Sequence, residues 1–300
     1  MGKVYLNWGT AALTVAPLLC GAAAMAEGYE TRVVAQGLAR PVGIAIDGNQ
    51  TIYFTEIPTP GVGGGANAVK RFDLDTCDVE TLHMGEPEPV NIALDKHGDV
   101  YWTCKSAGVI LRQDDEGSTE TLLGGLAKPS GVSVDRRGRV YFTEIPSPGV
   151  AGAGNRVSVL KGSKIMILHE GEPEPTDIVV GRNGELYWTC KSAGVILEQI
   201  RGVTNVLIDG LDHPSGIALS RNGRRLYFTE VPTPGVPGSA GGANKVWELD
   251  LRTMERRLVN EGDPEPTDVA VAKNGNVYWT CTSAGVIVEA RPDRTIDCTD

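Results

Sequence analysis

Oxygen-bearing side chains recur in this sequence at one repeated place. Asn91, Asp177 and Asp268 each stand two residues after a proline, in "PVN", "PTD" and "PTD". Three such donors around one centre would suit a hard cation, because Ca²⁺ takes roughly six to eight oxygen ligands, often with water among them. They form the candidate metal set. The competing reading is that Asn and Asp cap turns through side-chain-to-backbone hydrogen bonds. Glu56, Glu144 and Glu230 close the strings "YFTE". They could pair with backbone groups or add oxygens to the same centre. A further acidic set lies in the "EPEP" and "DPEP" segments: Glu86, Glu88, Glu172, Glu174, Asp263 and Glu265. Alternating prolines hold these segments extended and concentrate negative charge. His83 and His169 precede two of them, and Asn260 precedes the third. His213 stands where related segments carry Arg40 and Lys128. A histidine here could act as a general base or be an ordinary surface residue. His97 falls in a turn away from this group. The candidate ligand-binding residues are therefore Glu56, Glu144, Glu230, Glu88, Glu174, Glu265 and His213.

Cysteines follow the same rhythm. Cys104, Cys190 and Cys281 occupy the glutamate's place in "YWTC". Period-two alternation puts Trp102 and Cys104 on one face of a strand, where a cysteine serves as a small buried residue. Second strands three ways round a ring hold these sulfurs too far apart for a thiolate metal site or a disulfide. Cys77 and Cys298 lie in units that a closed ring brings side by side, and a Cys77–Cys298 disulfide is expected to lock the closure.

The elements that position these residues are set by internal repeats. "YWTCKSAGVI" occurs twice unchanged, at 101–110 and 187–196, and once as "YWTCTSAGVI" from Tyr278. Two alternating units, of the types "GLARPVGIAID…TIYFTEIPTPGV" and "GEPEPVNIALD…DVYWTCKSAGVILRQ", are each written three times. They align on Pro41, Pro89, Pro129, Pro175, Pro214 and Pro266. The spacing, roughly forty to fifty residues, is that of a propeller blade. Each unit reads as four short strands, the first two joined by a glycine-containing turn. The last unit lacks a fourth strand, and "YETRVVAQGL" near residues 29–38 supplies one. The expected fold is an all-β, six-bladed propeller of four-stranded blades, built as three copies of a two-blade repeat and closed by an N-terminal strand. Closure removes free sheet edges. Odd blades insert long Pro/Gly loops ("IPTPGVGGGAN", "IPSPGVAGAGN", "VPTPGVPGSAGGAN") that would rim one face.

The pattern "GLxxPxGIAxD…YFTE…NxV" resembles NHL-repeat propellers and the wider six-bladed group of senescence-marker-protein/gluconolactonase, strictosidine synthase and paraoxonase-like proteins. The resemblance spans nearly the whole chain after its leader. It implies the propeller fold and, by analogy with the metal-dependent hydrolases of that group, a Ca²⁺ or other divalent ion at the channel mouth. There Asn91, Asp177 and Asp268 would hold the ion with one of the three glutamates. The near-threefold symmetry of this set departs from the asymmetric ligand set of those enzymes.

A net charge of −10 argues against nucleic acid or an anionic membrane as partner. Residues 1–26 read as a secretory leader. Lys3 is its one charge, an apolar stretch runs from Ala11 to Leu19, and a small-x-small site ends at Ala26; an uncleaved anchor is the alternative. No other stretch would span a membrane. The domain would then be residues 27–300, a monomer in a secreted or periplasmic setting. Three functions remain open. One is a binding propeller taking a small polar molecule, a cation or a protein partner on an acidic top face. The second is a metal-dependent hydrolase of the lactonase or phosphotriesterase class. The third is an interaction scaffold.

Overall fold

The computed structural model describes residues 28–48, 50–58, 66–146, 154–171, 173–232 and 243–293. Every regular element among them is a β-strand, and the strands form six antiparallel sheets of four. Blade one runs outward through Pro41–Asp47, Thr51–Glu56, Ala68–Asp73 and Val79–Met84. Blades two to five repeat this order from Pro89, Pro129, Pro175 and Pro214. Blade six has three strands of its own, Pro266–Val271, Val277–Cys281 and Val286–Pro292, and takes its outermost strand from Tyr29–Gln36. The donated strand therefore joins the first described residues to the last. The segment assigned to a leader, residues 1–26, lies outside the described residues.

The core is divided among the blade interfaces. Trp102, Trp188 and Trp279 in even blades, and Phe54, Phe142 and Phe228 in odd blades, are fully buried at the same place on the second strand. Trp102 packs in one cluster with Val69 of the preceding blade, and Trp188 with Tyr141 and Val157 of its preceding blade. Burying each ring contributes about 1.5–3 kcal/mol, so each blade is held chiefly by its neighbours.

The inner hairpin fixes the geometry of the mouth. The residue before each aligning proline, Arg40, Glu88, Lys128, Glu174, His213 or Glu265, has φ between 52° and 60°. A following proline disfavours the right-handed helical region. The left-handed conformation instead lets the carbonyl accept an N–H from the residue just past strand two, at 3.0–3.2 Å in all six blades. Non-glycine residues adopt this conformation at a cost of about 1–2 kcal/mol.

Candidate functional site at the channel mouth

Asn91, Asp177 and Asp268 come together at the central channel, in a cavity of about 260 Å³ lined by the inner strands. Each reaches to the next blade. Asn91 Oδ1 accepts Val132 N–H at 2.9 Å, Asp177 Oδ2 accepts Ile217 N–H at 2.8 Å, and Asp268 Oδ2 accepts Ile44 N–H at 2.9 Å. The donors follow Gly131, Gly216 and Gly43. A Cβ on those glycines would lie 2.5–2.8 Å from the Cα of Asp177, Asp268 and Asn91 respectively. Glycine in odd blades is thus what lets the backbone of the following even blade approach so closely.

The remaining valences are also taken. Asp177 Oδ1 accepts Ile178 N–H and Asp268 Oδ1 accepts Val269 N–H, both at 2.7 Å. Asn91 Nδ2 donates to Asp268 Oδ2 at 3.2 Å. Burial raises both aspartates above the ordinary carboxylate range, and the charge of Asp177 raises Asp268 further. Two carboxyls that share a dry site favour holding a proton between them.

This donor set does not fit the divalent ion that the resemblance implies. A Ca²⁺ site needs converging oxygens. Here every carboxylate oxygen faces a backbone N–H, and the Asn91 oxygen is held by Val132, so its amide hydrogens point inward. Among the described residues no three His, Cys, Asp or Glu side chains are grouped to hold a metal.

The three strand-two glutamates sit apart from the trio. Glu56 is buried, accepting Ala39 N–H at 2.9 Å and pairing with Lys70 at 2.6 Å. Glu144 accepts Ala127 N–H at 2.8 Å and pairs with Arg156 at 2.5 Å. Glu230 accepts Asp212 N–H at 2.7 Å and Trp247 Nε1–H at 2.6 Å. Their backbone partners belong to the segment leading into their own blade.

The "EPEP" acids divide by position. Glu86 is buried, with His83 Nδ1 against one oxygen and the Cys104 thiol donating to the other at 3.0 Å. Asp263 accepts Trp279 Nε1–H at 2.7 Å, and burial raises its pKa. Glu172 lies outside the described residues. Glu88, Glu174 and Glu265 are half-exposed at the mouth and accept hydrogen bonds from Ser106, Ser192 and Ser283. They alternate with Arg40, Lys128 and His213 at the equivalent position of the odd blades. The rim thus carries the cations Arg40 and Lys128 and the imidazole of His213 between its acids, and is not uniformly acidic as the acidic segments alone suggested. His213 is exposed and pairs with Asp212 at 2.7 Å. His83 and His169 pack against Trp102 and Trp188.

Cys104, Cys190 and Cys281 are fully buried. Burial, followed by the neighbouring carboxyl, pushes the Cys104 and Cys281 thiols well above the usual range. Such thiols are poor nucleophiles. Cys77 is exposed in the turn after the third strand of blade one. Its expected partner Cys298 lies outside the described residues, as do most of the three Pro/Gly loops.

A ring of threonines escaped the sequence reading. Thr55, Thr103, Thr143, Thr189, Thr229 and Thr280 are all fully buried on strand two. In odd blades the hydroxyl accepts the inner glycine N–H, from Gly43, Gly131 or Gly216, at 2.8–2.9 Å. In even blades it donates to a carbonyl of the next blade (Ser130, Ser215 or Val42) at 2.6–2.7 Å. The threonine before the variable Glu or Cys in every copy was the available signal.

Comparison with known proteins agrees with this architecture. No family model matches the chain. A protein of Pyricularia oryzae named low-density lipoprotein receptor-related protein 1 is 27% identical over 289 residues, covering 82% of this chain and 89% of its own. Three solved structures share the fold. Virginiamycin B lyase from Staphylococcus aureus is 18% identical with a TM-score of 0.59, covering 89% of this chain and 90% of that one. A gluconolactonase from Xanthomonas campestris is 17% identical with a TM-score of 0.57, covering 87% and 90%. A putative gluconolactonase is 13% identical with a TM-score of 0.67, covering 89% and 93%. The repeat pattern's resemblance to gluconolactonase-like six-bladed propellers thus holds at the level of fold. A fold of this kind hosts unrelated functions.

Proposed function

We propose that the chain is a binding propeller whose top mouth takes a small polar ligand, or a partner segment, that carries both charge signs. The observation that carries this reading is the rim. Six residues in a costly left-handed conformation, each just before the innermost strand of its blade, alternate between basic (Arg40, Lys128, His213) and acidic (Glu88, Glu174, Glu265) side-chain types. Non-glycine residues in such conformations cluster at ligand clamps and switches. Below the rim, the trio, the strand-two glutamates and the thiols are committed to hydrogen bonds, which leaves little for catalysis. The receptor-related name of the fungal relative accords with binding. The "AAAMA" leader supports an extracytoplasmic setting, and there the burial of Cys104 and Cys281 would shield them from oxidation.

The test is a melting-temperature screen of the purified chain against amino acids and dipeptides, followed by calorimetry. A dipolar compound should bind saturably, and Lys128→Gln with Glu174→Gln should weaken it by about tenfold, or about 1.4 kcal/mol. Turnover of a lactone or phosphotriester, abolished by chelation, would overturn the proposal in favour of a metal-dependent hydrolase.

A further inference from the structure

The opposite face breaks the repeat symmetry. In each blade a tight turn joins the first two strands, and the carbonyl of its first residue accepts a backbone N–H three positions on. In blades one to three that residue is Asp47, Asp95 or Asp135. In blades four to six it is Gly181, Ser220 or Ala272. The acid is therefore missing from half of the ring, while the cations remain. At the turns of blades two and three a carboxylate lies among the cations, as Asp135 with Arg139 at 2.6 Å and Asp99 with Arg112 at 2.5 Å. In blades four to six Arg182, Arg221 and Lys273 are exposed and form no ion pair among the described residues. Arg225 lies beside them, half-buried, with a single carboxylate contact to Glu248 at 3.5 Å.

These four cations line one cleft of about 510 Å³, together with the side-chain amides Asn222 and Asn274. No Asp or Glu lines it. This is a concentrated positive site on a chain whose net charge is −10. Guanidinium groups bind carboxylate and phosphate oxygens through paired N–H donors, and an ammonium adds a point charge. The cleft has small-molecule dimensions, since ligand pockets span roughly 300–1,000 Å³. We infer that this basic cleft between the bottom turns of blades four, five and six is a binding site for a small multivalent oxyanion, a phosphate ester or a polycarboxylate. It is separate from the top mouth and does not depend on the function proposed there.

The experiment is isothermal titration of the whole chain at fixed ionic strength with sodium pyrophosphate and, separately, sodium citrate. Saturable binding of one ion per chain by either probe is expected, and the preferred probe distinguishes phosphate from carboxylate chemistry. Arg221→Glu and Lys273→Glu should each weaken binding by about tenfold or more, since each removes charge-assisted hydrogen bonds. The milder Arg182→Gln should weaken it less. Arg136→Glu, on an exposed bottom turn of blade three, should leave it unchanged. Absence of saturable binding by both probes would overturn the inference. So would equal weakening by Arg136→Glu, which would mean a general response to surface charge.

Discussion

Asp268 in the last blade accepts the backbone N–H of Ile44 in the first at 2.9 Å, a bond between residues 224 positions apart. It is the third of three equivalent links, and it turns a row of blades into a ring from the inside. The donated strand Tyr29–Gln36 does the same from the outside.

The glycines beneath these links should not tolerate a side chain. A Cβ at Gly131 would stand 2.6 Å from Asp177 Cα, a backbone atom that cannot rotate away. Gly131→Ala should destabilise the fold by about 1–3 kcal/mol through overpacking, read by chemical unfolding. Gly124→Ala, with open space around it, should change stability by less than about 0.5 kcal/mol. Equal stability of the two variants would mean that the close approach is unimportant.

The outer closure has a polar lock. Tyr29 and Tyr227 both donate to Glu248, the latter at 2.8 Å. Burial raises both phenols, Tyr227 to about 12. They therefore remain donors at neutral pH. Tyr29→Phe should cost about 0.5–1.5 kcal/mol, the net worth of one such bond. Removing residues 1–36 should abolish cooperative unfolding, because it strips blade six of its outer strand and exposes the strand Val286–Pro292.

The thiols should separate by burial. In the native protein Cys104 and Cys281 should resist an alkylating reagent and react only after denaturation. Cys77 should appear with Cys298 in one peptide pair of a non-reduced digest. Alkylation of both without reduction would remove the proposed disulfide.

The architecture was legible because duplication writes the blade boundaries directly: proline, strand, glycine turn and strand recur six times. The closing strand was legible because the last copy lacks its fourth run. The chemistry of the mouth was less so. Asn91, Asp177 and Asp268 were identifiable by position, but their partners Val132, Ile217 and Ile44 are backbone donors about forty or more residues away, and no side-chain pattern marks a backbone N–H. The acids of "EPEP" look alike in sequence. A single proline step then sends Glu86 inward to Cys104 and leaves Glu88 on the rim. The basic cleft escaped notice because its signal is an absence, the loss of Asp at Gly181, Ser220 and Ala272.

The central claim is that the channel-mouth trio joins the blades through shared hydrogen atoms and not through a metal. The most direct measurement is the melting temperature of the wild type and Asp177→Asn across pH, with and without chelator. Both aspartates are raised in the folded state, so the native chain binds more protons than the unfolded chain above the ordinary carboxylate range. The stability they contribute is complete below about pH 4 and is lost as pH rises through the raised folded values. Asp177→Asn places at this position the amide that Asn91 already carries in blade two. It should flatten the pH dependence while costing about 1–3 kcal/mol, because one of the two backbone N–H groups that Asp177 accepts, of Ile178 or Ile217, loses its acceptor, and chelation should shift neither protein. A wild-type melting temperature that drops on chelation and is restored by Ca²⁺, with Asp177→Asn losing that response, would contradict the claim and put a metal at the mouth.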